Sequence, residues 1–184
     1  MSTKYTFSDS NLLHFVSFAV VDWIDVFTRI IYKEIVVDSL RHCQKKKGLE
    51  LYGWVIMTNH LHMIISATAN SLSNIMRDFK KHTSLQIKDA ITNNPESRKE
   101  WMMERFTKAG KTNSNNDSFQ FWEQDNHPLL LNNIEIAHQK LDYIPARLVI
   151  QAGTTTRLKL ALFQYRKIIY IVVQEIITLQ KRLA

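Results

Sequence analysis

Two β-type runs with only Thr58-Asn59 between them constrain this chain most. Leu49 to Met57 and His60 to Ala67 are dense in β-branched, aromatic and long apolar residues. A connection that short predicts neighbouring strands of one sheet. Upstream, Leu12 to Val21 reads as a further strand. Asp25 or Thr28 is then placed to open a helix to about Lys47, with Ile31, Ile35, Leu40 and Cys43 near its apolar side and Gly48 at its end. Downstream, Ser71 or Ser73 opens a second long helix to about Thr92, with Leu72, Ile75, Met76, Phe79, Leu85 and Ile87 as its apolar set. Asn93 to Asn116 reads as a polar connection, punctuated by Pro95 and Gly110, and the Lys111–Asp117 stretch as a loop. Phe119 to Trp122 reads as a short fourth strand, and Ile134 to about Ile144 as a third helix. The order predicts an α+β fold: a ferredoxin-like split βαβ antiparallel sheet with helices on one face.

At 184 residues, 45% hydrophobic and 22% charged, the chain has the composition of one globular domain with a real core, which argues against disorder. Cys43 is the lone cysteine, so no internal disulfide can form; it reads as a small core residue in a reducing compartment. Met1 to Ser10 carries no apolar signal segment, and Ile168–Val173, the longest apolar stretch, is far too short to span a bilayer. A cytoplasmic protein with no membrane partner is expected. The net charge of +7 invites a polyanionic partner, but it is unevenly placed. Between Pro145 and Ala184 seven basic side chains face the single acid Glu175, so +6 of the +7 sits there. Charge alone therefore says little about residues 1–144.

His60-Leu61-His62 is the sharpest local signal. Strand side chains alternate, so the two imidazoles share a face while Leu61 points to the other. Two such rings can hold one divalent cation if a third ligand comes from elsewhere. The surrounding run, Tyr52-Gly-Trp-Val-Ile-Met-Thr-Asn-His-Leu-His-Met-Ile-Ile65, resembles the Tyr-x-Tyr/Trp-Val-Ile-Met-Pro-Asn-His-x-His signature of IS200-like and REP-associated tyrosine transposases, with Thr58 at the usual proline position. The resemblance extends over roughly residues 12–144. Val20-Val-Asp-Trp-Ile-Asp-Val-Phe-Thr-Arg29 looks like the end of the family's first strand. Arg77-Asp-Phe-Lys-Lys-His-Thr-Ser84 looks like its basic second helix. Phe121-Trp-Glu-Gln-Asp-Asn-His-Pro128 looks like its fourth-strand region, and Gln139-Lys-Leu-Asp-Tyr-Ile144 like the start of its tyrosine helix.

The resemblance implies a transposase that cuts one strand of single-stranded or hairpin DNA, leaving a covalent 5′-phosphotyrosine and a free 3′-OH. Tyr143 matches the nucleophile, on a C-terminal helix that a homodimer could share between subunits. His60 and His62 match the metal ligands, with Mg²⁺ or Mn²⁺ as the expected cation. A phenol is a poor nucleophile at neutral pH, its pKa being about 10, so charge stabilisation at the phosphate is needed. Arg77, Lys80, Lys81 and Lys88 fall at helical spacings that place several on one side of the second helix, where they could meet DNA phosphates. Trp54, Phe121 and Trp122 could stack on bases or belong to the core.

The family continues past its tyrosine with a His-x-Asn-Pro-Val-x-Ala-Gly pattern, whose Asn is the third-ligand position there. This chain reads Pro145-Ala-Arg-Leu-Val-Ile-Gln-Ala152 instead. From Gly153 onward, joining the third base of each codon to the first two of the next permits HNNPVKAGIV. Lys167 to Thr178 likewise permits DYIYSSARNYY. Both strings look like the family's ordinary continuation. Residues 1–144 are therefore expected to be the transposase domain. Residues 145–184 are expected to be an atypical basic tail, the product of a frameshift after the Ile144 codon. Two other function classes stay open: a nucleic-acid-binding module or remnant without catalysis, and a small metal-dependent hydrolase built on His60 and His62, which would need a further carboxylate or histidine.

Overall fold

The computed structural model describes residues 7, 9–113, 118–124, 128–133, 136, 139 and 140. β1 (His14–Ala19) leads through two short 3₁₀ turns, Val21–Trp23 and Val26–Thr28, into α1 (Ile30–Lys47). β2 (Leu49–Ile56), β3 (His60–Ala67), α2 (Leu72–Asn93), α3 (Lys99–Lys111) and β4 (Leu129–Leu130) follow. The four strands form one antiparallel sheet in the order β2-β3-β1-β4, the ferredoxin-like arrangement the alternation pattern predicts.

Period-2 alternation splits the strands cleanly. Val16, Phe18, Leu61, Met63 and Ile65 point to one face and pack with Ile75, Met76 and Phe79 of α2 and Tyr32, Val36 and Leu40 of α1. The other face carries Ser17, Ala19, His60 and His62. The register sets Ser17 opposite His62 and Ala19 opposite His60. α2 buries Leu72, Ile75, Met76, Phe79, Thr83, Ile87 and Ile91, a three-and-four spacing that lays one stripe on the sheet. Each fully buried apolar side chain of that stripe contributes roughly 1.5–3 kcal/mol. Leu85, expected in this apolar set, stands 49% exposed on the outer side instead. α1 ends as its sequence predicts: Gly48 takes the left-handed conformation, φ 74°, and its N–H reaches the Cys43 carbonyl. Its start differs, since Asp25 and Thr28 belong to the preceding turns and the helix begins at Ile30.

Two further readings are corrected. The expected polar connection contains α3, which buries Met102, Phe106 and Gly110 along one line. Gly110 is there because the chain crosses it: a Cβ at this position would lie 2.6 Å from the Phe119 Cα. The fourth strand is Leu129–Leu130, beside β1. The Phe119–Trp122 stretch makes only an isolated bridge, Val20 with Trp122, because Phe121 and Trp122 are anchored as core residues under Phe27 and Phe106. Trp122 also donates its indole N–H to Thr83 Oγ1 at 2.9 Å. Cys43 is buried, as expected, and burial pushes its thiol pKa up. No helix among the described residues is long and apolar enough to cross a membrane. Of the expected third helix, Ile136, Gln139 and Lys140 are helical; Tyr143 and the 145–184 tail lie outside the described residues.

Candidate functional site

The face of the sheet away from α1 and α2 opens into a cleft of about 990 Å³ at the ends of β1 and β3. His60 and His62 line it, their ring centroids 4.7 Å apart and their planes 74° from parallel. The strand geometry alone brings the rings together, and their neighbours then fix how each is turned. The Asn59 side-chain amide donates from Nδ2 to the Trp23 carbonyl at 3.1 Å. That bond leaves Oδ1, which can only accept, facing His60 Nδ1 at 2.6 Å. His60 Nδ1 is therefore the donor of this bond. His62 Nδ1 shares a 2.6 Å hydrogen bond with Ser17 Oγ, its register partner on β1, and the ring stacks on Phe15 at 5.2 Å. Partners of this kind orient imidazoles for a metal.

Around the rings the cleft is mixed in charge. Asp22 and Glu123 supply carboxylates, while Arg105 and Lys108 come from α3. Arg105 Nη1 lies 3.6 Å from Asp22 Oδ2, and Glu123 Oε1 accepts from the Asp22 backbone N–H at 3.3 Å. Among the described residues no group of three His, Cys, Asp or Glu side chains converges as a metal cage. The two imidazoles thus fit a cation as part of a set, with the rest to come from elsewhere.

The basic residues expected on the second helix do not line this cleft. Arg77 and Lys81 are exposed on α2, which packs against the opposite face of the sheet, and Arg77 is engaged with Asp78 and Asn74. Lys88 sits with its ammonium 5.2 Å from the Phe119 ring centroid. Lys80 is a tether: its ammonium donates to the Glu123 carbonyl at 2.6 Å and lies over the Phe18 ring. The cations that share the cleft with the histidines are Arg105 and Lys108, which the sequence reading missed along with their helix. Met102 and Phe106 at i, i+4, with Glu100 in the first turn and Lys108 and Lys111 in the last, are the signal that could have found it.

Residues 13–116, more than half of the chain, match the family model described as transposase IS200 like. None of the curated proteins matches in sequence. Among solved structures, a REP-associated tyrosine transposase bound to a REP hairpin superposes with a TM-score of 0.56 at 13% identity, over 84% of this chain and 76% of that one. A protein from Deinococcus radiodurans R1 described as a candidate transposase gives a TM-score of 0.49 at 16% identity, over 80% of this chain and 96% of that one.

Proposed function

Since the chain belongs to the IS200-like transposase family, we propose that it cuts and rejoins single-stranded or hairpin DNA through a 5′-phosphotyrosine on Tyr143. The observation that carries this reading is the pair of oriented imidazoles, His60 and His62, in an open cleft whose wall also presents Arg105 and Lys108. Lys140, three residues before Tyr143, holds its ammonium 5.0 Å from the Phe15 ring centroid, and Phe15 stacks on His62.

In this mechanism the Tyr143 oxygen attacks the scissile phosphorus. The P–O3′ bond breaks, the phenol loses its proton to solvent and the departing 3′ oxygen gains one. One phosphodiester replaces another, so rejoining by the 3′-OH needs no ATP. His60 and His62 would hold a divalent cation, Mg²⁺ or Mn²⁺, which when bound stabilises charge on the phosphate. Asn59 and Ser17 keep the two rings turned for that task. Arg105 and Lys108 attract the backbone into the cleft, while Arg77, Lys81 and Lys88 take more distant phosphates. Lys80 serves indirectly by holding the Glu123–Gln124 segment. The enzyme is taken to work in the cytoplasm as a homodimer, which sedimentation at micromolar concentration would check.

The test is incubation of the full chain with a hairpin library and Mn²⁺, scored for protein–DNA adducts on a denaturing gel. Tyr143→Phe abolishes the adduct, and His60→Ala or His62→Ala abolishes the metal-dependent reaction. An adduct that survives Tyr143→Phe refutes the assigned nucleophile. One observation favours a second reading, a binding remnant without catalysis: Pro145-Ala146-Arg147 replaces the family's continuation after the tyrosine helix. Tight hairpin binding with no adduct under any metal is its signature. The frameshift that would explain the 145–184 tail is tested by reading the gene in all frames. Stops or unrelated residues in the shifted frame refute it.

A further inference from the structure

Asp22 and Trp23, both at φ 54°, are the two non-glycine residues with left-handed backbone among those described, and they follow one another in the short turn after β1. Side chains with a Cβ resist this conformation, so two in succession persist only where neighbours enforce them. Here Asn59 Nδ2 holds the Trp23 carbonyl, Glu123 Oε1 holds the Asp22 N–H, and the Trp23 N–H bonds to the Val20 carbonyl at 3.0 Å. The result is an indole left 59% exposed. Of the large apolar side chains left open among the described residues, Trp23 is the one that lines the His60–His62 cleft. Its ring stands edge-on to His60, with centroids 5.3 Å apart at 68°.

We propose that Trp23 is a stacking platform for one nucleobase beside the scissile phosphate, with Arg105 and Lys108 taking the phosphate of that same nucleotide. This rests on the DNA-cutting reading above and deepens it by naming a nucleotide subsite. Every base has a π-face, so an exposed indole selects for an unpaired base rather than for a sequence. A base on Trp23 puts its sugar–phosphate next to His60. The Arg105–Asp22 contact, at 3.6 Å with both side chains about half exposed, is weak enough for a phosphate to take Arg105 over. The strained turn makes the platform rigid, so little freedom is lost when the base arrives.

The experiment is fluorescence anisotropy of the full chain with a DNA hairpin bearing a single-stranded flank, through which an abasic site is stepped. Trp23→Ala weakens binding roughly 10- to 100-fold, the scale of one base–aromatic stack, and Trp23→Phe recovers most of it. One abasic position weakens the wild type by the same factor and leaves Trp23→Ala unchanged; all other positions affect both proteins alike. Trp23→Gly also loses binding, yet keeps or raises the thermal midpoint, because glycine relieves the backbone. A purely structural Trp23 would move binding and stability together. If the wild type binds the hairpin and Trp23→Ala binds equally well, or no abasic position distinguishes them, the platform is refuted and the DNA-cutting reading stands. If the wild type does not bind the hairpin at all, both fall.

Discussion

Replacing Glu96 by glutamine tests the junction that fixes α3, and with it the cationic wall of the cleft. The Glu96 carboxylate is 1% exposed and lies just before α3. It accepts hydrogen bonds from Arg98 Nε and the Arg98 backbone N–H at 3.2 Å each and from the Tyr32 hydroxyl at 3.1 Å, and forms an ion pair with Arg29, whose Nε lies 3.1 Å away. Arg98 also donates to the Asp25 carbonyl, so the network ties the turns after β1 to the start of α3. Glutamine keeps the volume but removes the charge and turns one acceptor into a donor facing donors. A hydrogen bond to a charged group contributes about 1.5–3 kcal/mol against about 1 for a neutral one. The two guanidinium contacts would each lose about 1 kcal/mol, and the mismatched amide adds a comparable loss. Side-chain exposures of 44% for Arg29 and 35% for Arg98 let water recover part of this. The expected loss is about 2–3 kcal/mol, or roughly 5–10 °C in thermal midpoint for a chain of this size.

The pH dependence gives an independent check. Burial pushes the Glu96 carboxyl up, but the hydrogen bonds and charge of Arg98 and the Tyr32 hydroxyl outweigh it and hold its pKa below the ordinary glutamate value. A depressed carboxylate contributes stability that is fully present above its unfolded pKa, about 4.3, and is lost as pH falls through the lower folded value. Thermal unfolding by circular dichroism should therefore show a constant gap between wild type and Glu96→Gln near neutrality, closing as pH falls below about 4. Tyr32, its pKa raised to about 12 by burial and by Glu96, stays neutral throughout. A gap that is absent at pH 7, or that persists unchanged in acid, refutes the account.

Gly110→Ala should destabilise by about 1–3 kcal/mol, because its methyl would meet Phe119 backbone, which cannot swing aside as a side chain can. Chemical unfolding would read this, and a neutral result would mean the α3 crossing is looser than described. Asn59→Ala removes both the His60 Nδ1 acceptor and the clamp on the Trp23 carbonyl. Mn²⁺ affinity, read by calorimetry, should fall about 10- to 100-fold, and unchanged affinity would sink the orienting role.

How much was legible in the chain follows from how local each cause is. The strand pair around Thr58-Asn59, the stripe of α2 and the Gly48 helix end are set by residues a few positions apart, so alternation, three-and-four spacing and a glycine foretold them. The facing of His60 and His62 belongs to the same class, since two-residue alternation requires it. α3 escaped because its apolar residues are few among polar ones, and because Phe106 packs on Phe119 and Phe121, which come from a separate stretch of chain. The fourth strand was misplaced for a related reason: Phe121 and Trp122 have β-type side chains, but the core claimed them.

By itself, then, the order of residues determined the sheet, its two covering helices and the shared face of the imidazoles, because each follows from backbone periodicity. Only the tertiary structure decided which cations share a cleft with those imidazoles, which side chain meets His60 Nδ1, and that Asp22 and Trp23 adopt a left-handed turn. Those outcomes hang on contacts such as Asn59 with Trp23 and Arg105 with Asp22. Such contacts form between residues that local preference does not couple, and they exist only once the chain has closed on itself.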